Sequence, residues 1–126
     1  MSYEQIWLEA RQEAERAFIE AKPTPVAFQN SGLGEKFDWS KPYDIVEDGV
    51  CGYAWVWLPS ARDPFVKWLK QNNMGHKSYD TGYDIWSSYL VKENTQSMQR
   101  KEAAVEAAVK VLRANGIEAY SQSRMD

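Results

Sequence analysis

Between residues 51 and 58 the chain alternates strictly. Tyr53, Trp55 and Trp57 occupy one set of positions, and Ala54, Val56 and Leu58 the other. Strand side chains alternate with a period of two, so this run predicts a β-strand with one aromatic face and one small aliphatic face. The aliphatic face suits packing against helices. The aromatic face needs a cover, a partner or a ligand, because contiguous exposed apolar patches are rare on monomers.

Elsewhere the period is helical. Over residues 2–22, Trp7, Ala10, Ala14, Ala17 and Ala21 recur at spacings of three and four, a short heptad stripe flanked by Ile6 and Phe18. Ser2 followed three residues later by Gln5 is a capping-box pattern that satisfies two otherwise unpaired N–H groups. The stripe predicts an amphipathic helix that either lies on its own domain or self-associates through its small face. Pro23 and Pro25 stop it. Residues 23–50 sustain no period and read as a linker with extended patches. Phe28, Phe37, Trp39 and Tyr43 set it apart from a solvated tether, since such side chains find something to bury against. Gly32-Leu33-Gly34 lacks both the glycine pattern and the preceding strand of a phosphate loop.

From residue 50 onward the elements follow one another regularly. Pro59 ends the strand, and Asp63-Pro64 opens a helix over 64–73 that buries Phe65, Trp68 and Leu69 before Asn72, Asn73 and Gly75 stop it. Residues 76–80 and 82–89 are two short aromatic runs joined around Thr81-Gly82, a hairpin pattern. A polar loop over 94–99 leads into a helix over 98–115. Its apolar face is Ala104, Val105, Ala108, Val109, Val111 and Leu112, and its outer face carries Arg100, Lys101, Lys110 and Arg113. Glu102 and Glu106 stand at pairing distance from Lys101 or Lys110. Gly116 closes the helix, residues 117–121 make a last strand, and Ser123-Arg124-Met125-Asp126 either frays or ties back onto the sheet. The order β-α-β-β-α-β predicts an α+β, ferredoxin-like core: a four-stranded antiparallel sheet with two helices on one face and strands 51–58 and 83–90 in the centre. The organisation is thus an N-terminal helix (1–22), a linker (23–50) and a compact α+β domain (51–126). In this plan Tyr53, Trp55 and Trp57 fall on the open face.

Length and charge narrow the classes. The chain has 126 residues, which suits one domain. Its net charge of −3 is uneven: residues 1–50 hold five Lys/Arg against ten Asp/Glu, and residues 51–126 ten against eight. That balance argues mildly against nucleic acid and identifies no partner. The single Cys51 excludes an intramolecular disulfide and points to a reducing, cytoplasmic setting. No apolar run approaches the ~20 residues of a membrane span, and no secretory signal pattern opens the chain.

Candidate chemistry is sparse. His76 is the only histidine and reads as a solvated surface group. Cys51 follows Glu47 and Asp48, unlike the electropositive surroundings of reactive thiols. Asp80 with Asp84, or Asp44 with Glu47 and Asp48, could pair carboxylates around Mg²⁺, but solvent-facing turn residues are the simpler reading. Lys92-Glu93 echoes a nuclease site without its acidic spacing. No cofactor is expected. The binding candidates are Tyr53, Trp55, Trp57, Trp86 and Arg124.

Four stretches go together: Gly52-Tyr53-Ala54-Trp55-Val56, Gly82-Tyr83-Asp84-Ile85-Trp86, Gln96-Ser97-Met98-Gln99-Arg100-Lys101-Glu102-Ala103 and Ser123-Arg124-Met125-Asp126. They resemble a family of small uncharacterised proteins of tailed phages and prophages, as do the opening Tyr3-Glu4-Gln5-Ile6-Trp7 and the Pro23-Thr24-Pro25 break. Trp57 departs from that pattern, in which a polar residue is usual. The resemblance implies a phage genome and the cytoplasm of a bacterial host, and no activity. The expectation is a non-enzymatic phage-encoded binding protein that counters host defence by occupying a host protein or a nucleotide signal. A single-stranded nucleic-acid module using the aromatic sheet face is the first alternative. A metal-dependent enzyme with an acidic site is the second. Self-association, as a homodimer, would run through Trp7, Ala10, Ala14, Ala17 and Ala21 or through the sheet face.

Overall fold

A computed structural model describes residues 1–29 and 36–126; Gly32-Leu33-Gly34 lies outside the described residues. The protein is a mixed α+β fold with an N-terminal helix. That helix, α1 (Tyr3–Glu20), begins with the capping box read from the sequence. The Ser2 hydroxyl accepts from the Gln5 N–H, and the Gln5 side chain accepts from the Ser2 N–H. Its stripe is used within the chain: Ile6, Trp7, Ala10, Ala14 and Phe18 are buried, and the helix lies along α3 (Met98–Ala114). Ala17 and Ala21 are half-buried. The small Ala side chains let the two backbones approach, and the face read as available to a second copy is largely occupied by α3.

Residues 23–50 are more structured than a linker. β1 (Val26–Phe28) pairs antiparallel with β2 (Asp44–Val46), with Val26 opposite Val46. Ahead of β2, Gln29 holds Asp38 through its side-chain amide, donating to the Asp38 carbonyl at 2.9 Å and accepting from the Asp38 N–H at 2.9 Å. Phe37, Trp39 and Tyr43 pack on one another with ring centroids 4.6 to 5.6 Å apart. Instead of burying against the domain they form a small exposed cluster, with Trp39 69% accessible.

The remaining elements are β3 (Gly52–Leu58), α2 (Pro64–Gln71), β4 (His76–Lys77), β5 (Tyr83–Trp86), a single 3₁₀ turn at Ser87–Tyr89, α3 and β6 (Tyr120–Met125). The sheet order is β4-β5-β3-β6 and every neighbouring pair is antiparallel. Both later helices start as their sequences dictate. The Asp63 carboxylate accepts from Phe65 N–H at 2.8 Å ahead of Pro64, and the Ser97 hydroxyl accepts from Arg100 N–H at 3.3 Å. Gly116 ends α3 with φ +78°.

One core joins all three helices to one side of the sheet. Ala54, Val56 and Leu58 of β3 and Ile85 of β5 are buried with Phe65, Val66 and Leu69 of α2 and the apolar face of α3. Tyr3 of α1 meets the Phe65 ring edge-on at 5.6 Å, so α1 also touches α2.

Strand boundaries and one burial differ from the sequence reading. The hairpin strands are shorter, because residues 78–82 form a turn closed by Ser78 N–H on the Gly82 carbonyl at 3.1 Å. The last strand starts three residues later: Ile117 and Ala119 dive into the core, and β6 takes up residues 120–125. The C-terminal segment therefore ties back onto the sheet, with Asp126 N–H on the Cys51 carbonyl at 3.1 Å. Finally, Lys101 is not on the outer face of α3. It is 4% exposed, and its Nζ meets the Gly52 carbonyl at 3.0 Å and the Glu93 carboxylate at 3.0 Å. Glu93 thus has a structural partner, while Glu102 accepts from the Ser123 hydroxyl at 2.8 Å.

Candidate functional site

The open side of the sheet follows from register. Directly opposed residues of antiparallel strands point to the same face. Trp57 lies between Asp84 of β5 and Tyr120 of β6, Trp55 between Trp86 and Gln122, and Tyr53 beside Arg124. His76 of β4 lies opposite Asp84. Neither α1 nor the exposed Phe37–Trp39–Tyr43 cluster covers this face, since α1 sits in the helix layer beyond the opposite one.

The three indoles are held by their own N–H groups. Trp55 Nε1 donates to Gln122 Oε1 at 2.9 Å, Trp57 Nε1 donates to the Thr81 carbonyl at 2.8 Å, and Trp86 Nε1 donates to His76 Nε2. The His76 ring also stacks on Trp86, with centroids 5.6 Å apart. This histidine is exposed, as expected from sequence, yet it orients an indole. Trp55 packs on Trp86 at 4.9 Å and Trp57 on Tyr120 at 5.8 Å. Side chains locked in this way form preorganised walls.

Those walls line a cavity of about 530 Å³ that is open to solvent on one side. Its lining is Trp55, Trp57, Trp86, Asp84, Gln122 and Arg124, completed by the turn 78–81. The turn is held over the sheet by the Trp57–Thr81 bond and by Gly82. At φ +86°, Gly82 adopts a conformation that side-chain-bearing residues rarely take, and a Cβ there would fall 2.4 Å from the Leu58 carbonyl oxygen. The volume lies within the ~300–1,000 Å³ typical of small-molecule sites. The lining is mixed: the aromatic Trp55, Trp57, Tyr79 and Trp86 stand among polar and charged side chains.

Four of the five residues singled out from sequence line this cavity: Trp55, Trp57, Trp86 and Arg124. Tyr53 does not. It lies beyond the cavity, under the Arg124 guanidinium at 5.7 Å and near Lys101 Nζ at 5.5 Å, and its ring meets Trp86 edge-on. Arg124 thus stacks on a tyrosine, and among the described residues it pairs with no acid.

Asp84 is the residue that sequence reasoning undervalued. Read as a solvent-facing turn residue, it is a strand residue 7% exposed, and its Oδ1 is buried with no hydrogen-bond partner among the described residues. A signal was present: in Tyr83-Asp84-Ile85-Trp86 the acid shares its parity, and so its face, with Trp86. Asp80, its suspected partner, also lines the cavity but is exposed. Among the described residues no group of three His, Cys, Asp or Glu side chains is placed to hold a metal ion. In the segment before β3, Asp48 is engaged structurally: Thr95 and Arg100 donate to its carboxylate at 2.9 and 3.2 Å and hold its pKa below the usual value.

Burial pushes the Asp84 carboxyl above the ordinary carboxylate pKa, and His76 and the Ser78 hydroxyl draw it part of the way back. The folded protein therefore binds this proton more tightly than the unfolded chain does. The resulting penalty is absent below the ordinary carboxylate pKa and complete above the raised folded-state value, so stability falls as pH rises through that window. Asp84→Asn cannot titrate. It is expected to raise the denaturation midpoint at pH 7 and leave it unchanged near pH 3, a difference that paired urea titrations would measure. A variant less stable at pH 7 would show that the carboxylate is satisfied in a way the fold does not display.

Comparison with protein-family models, with curated proteins and with solved structures gives no match.

Proposed function

We propose that this chain is a non-enzymatic binding protein that holds a small molecule in the aromatic cavity of its sheet. The observation that carries the reading is the buried, unpartnered Oδ1 of Asp84 beside three indoles whose own N–H groups are already engaged. An unmade hydrogen bond in a buried site costs about 1–3 kcal/mol, and a ligand donor at that oxygen would recover it. Fixed aromatic walls with a buried acceptor at Asp84 suit recognition, in which shape and a few polar contacts set orientation.

The finer fold reading accompanies this proposal. The order β4-β5-β3-β6, with a helix following β3 and another preceding β6, supports a ferredoxin-like split βαβ core in which the ligand face is the one left free of helices. The likeness of the Gly52–Val56, Gly82–Trp86 and Ser123–Asp126 stretches to small phage and prophage proteins supports an origin in a phage genome, work in the bacterial cytoplasm and a purpose in countering host defence. On this reading the protein acts by sequestering a nucleotide signal.

The test is direct. Purified protein is mixed with a small-molecule extract of bacterial cells, re-isolated and denatured, and the released compounds are identified by mass spectrometry. A compound carried by the wild type and lost from a folded Trp86→Ser variant is the expected result. Equal recovery from both proteins, or none from either, would sink the cavity reading.

A further inference from the structure

We infer that the cavity is built for a guanine nucleotide, the base at Asp84 and the phosphate at Arg124. The inference rests on the ligand-binding reading above and names the class of ligand.

Three observations select it. The first is the chemistry at the Asp84 end. An ionised carboxylate accepts hydrogen bonds only, and Asp84 Oδ1 has no donor among the described residues. Among the nucleobases guanine alone presents two adjacent N–H donors on its Watson–Crick edge. Adenine and cytosine place a ring acceptor beside their amino group, and uracil flanks its N–H with two carbonyls. Facing a carboxylate, each of those acceptors would meet another lone pair, and sites built around a buried hydrogen-bonding group reject analogues that leave it unpaired.

The second is the distance between the ends. Asp84 lies opposite Trp57, and Arg124 lies opposite Tyr53, four residues along β3 and on its other side. At ~3.3 Å per residue and ~4.8 Å per strand, the two Cα atoms stand roughly 16 Å apart along the diagonal. Arg124 lays its guanidinium over Tyr53 at the far end, so most of that span is left to a ligand. Among the described residues the Arg124 side chain makes no ion pair or hydrogen bond and is engaged by its stacking on Tyr53, so its guanidinium N–H groups are placed to bind a phosphate. Gln122, between them, commits its carbonyl to Trp55 and retains N–H donors for the sugar or phosphate.

The third is the rim. Tyr79, on the turn over the cavity, is fully exposed, with its whole ring in solvent. A planar base entering the cavity gives that ring a stacking partner, the usual way proteins hold an unpaired base.

Isothermal titration of the full chain with 5′-GMP, 5′-AMP, guanosine and a short guanine-containing single-stranded oligonucleotide tests this, with thermal melts to show that each variant is folded. GMP is expected to bind at least about tenfold more tightly than AMP. Guanosine should be weaker than GMP. Asp84→Asn should erase the preference for GMP over AMP, and Tyr79→Ala should weaken GMP about tenfold with no change in melting temperature. Equal affinity for GMP and AMP, or a preference that survives in Asp84→Asn, overturns the guanine assignment while leaving the cavity reading intact if Trp86→Ser still abolishes binding. Tighter binding of the oligonucleotide than of GMP overturns it in favour of a nucleic-acid face. No binding of GMP overturns it outright, and the metabolite recovery experiment then decides the cavity reading by itself.

Discussion

Residues 51–126 produced alone are expected to lose cooperative unfolding, although every strand of the four-stranded sheet lies within them. The reason is where α1 puts its apolar stripe. Ile6, Trp7 and Phe18 are buried at 4%, 7% and 4% exposure, and Ala10 and Ala14 are fully covered, all in the same core as β3 and α3. Burying a large apolar side chain contributes about 1.5–3 kcal/mol, so these three alone sum to roughly 5–9 kcal/mol. That is of the order of the whole stability of a small domain, about 5–15 kcal/mol. Removal also strips the cover from α3 and takes Tyr3 from Phe65. Arg100 would be stranded as well: its Nη1 caps the end of α1 through the Phe18 carbonyl at 3.0 Å and the Ala21 carbonyl at 3.2 Å. Urea denaturation followed by Trp fluorescence should show a broad, non-cooperative change in the truncated chain. A sharp transition with a midpoint near that of the full chain would show that α1 is an appendage and that 51–126 is a self-sufficient domain.

Lys101→Ala is expected to destabilise the protein by about 3 kcal/mol, the lower end of the range for breaking a buried ion pair by removing one partner. The lower end applies because Glu93 keeps some contact with water, its side chain being 22% exposed. Lys101 Nζ also donates to the Gly52 carbonyl at 3.0 Å, so the substitution leaves an acceptor unmatched at the first residue of the central strand. Its buried stem is lost at the same time. Lys101→Met separates these effects, since it keeps most of the stem and removes only the charge and the donors. It should cost less than the alanine variant. Equal losses would assign the whole effect to the charge and its hydrogen bonds, and an unchanged midpoint in Lys101→Ala would show that the ion pair makes no net contribution.

The contrast between Lys101 and its neighbour Arg100 illustrates how far local pattern reaches. Charge alone put both on the outer face of the last helix, but Lys101 stands three, four and seven residues before Ala104, Val105 and Ala108, in line with the apolar stripe, so its burial was legible in the period. What the period does not show is the polar partners that let a lysine sit there. Here the segment 93–97 folds back against β3, with Cys51 bridged to Ser97, and encloses the first turn. The same limit applies to Asp84. Its face can be deduced from parity, but its burial depends on a turn at 78–82 that closes over the sheet. Phe37, Trp39 and Tyr43 depart in the opposite sense: composition demands a cover for them, and they find one another.

What the sequence determined by itself was everything that rests on period and on local hydrogen bonding: the strand at 51–58 with its two unlike faces, three helices, two of them with their caps at Ser2 and Asp63, and the stops at Asn72 and Gly116. These follow from backbone geometry within a few residues, so neighbours along the chain suffice. Only the tertiary structure decided which residues share the open face, how far β6 runs, that α1 lays its stripe on α3, and that an aspartate lies buried without a donor beside three tryptophans. Those features arise where segments tens of residues apart are brought to one side of a sheet, and solvent exclusion there is a property of the assembled fold that no local stretch carries.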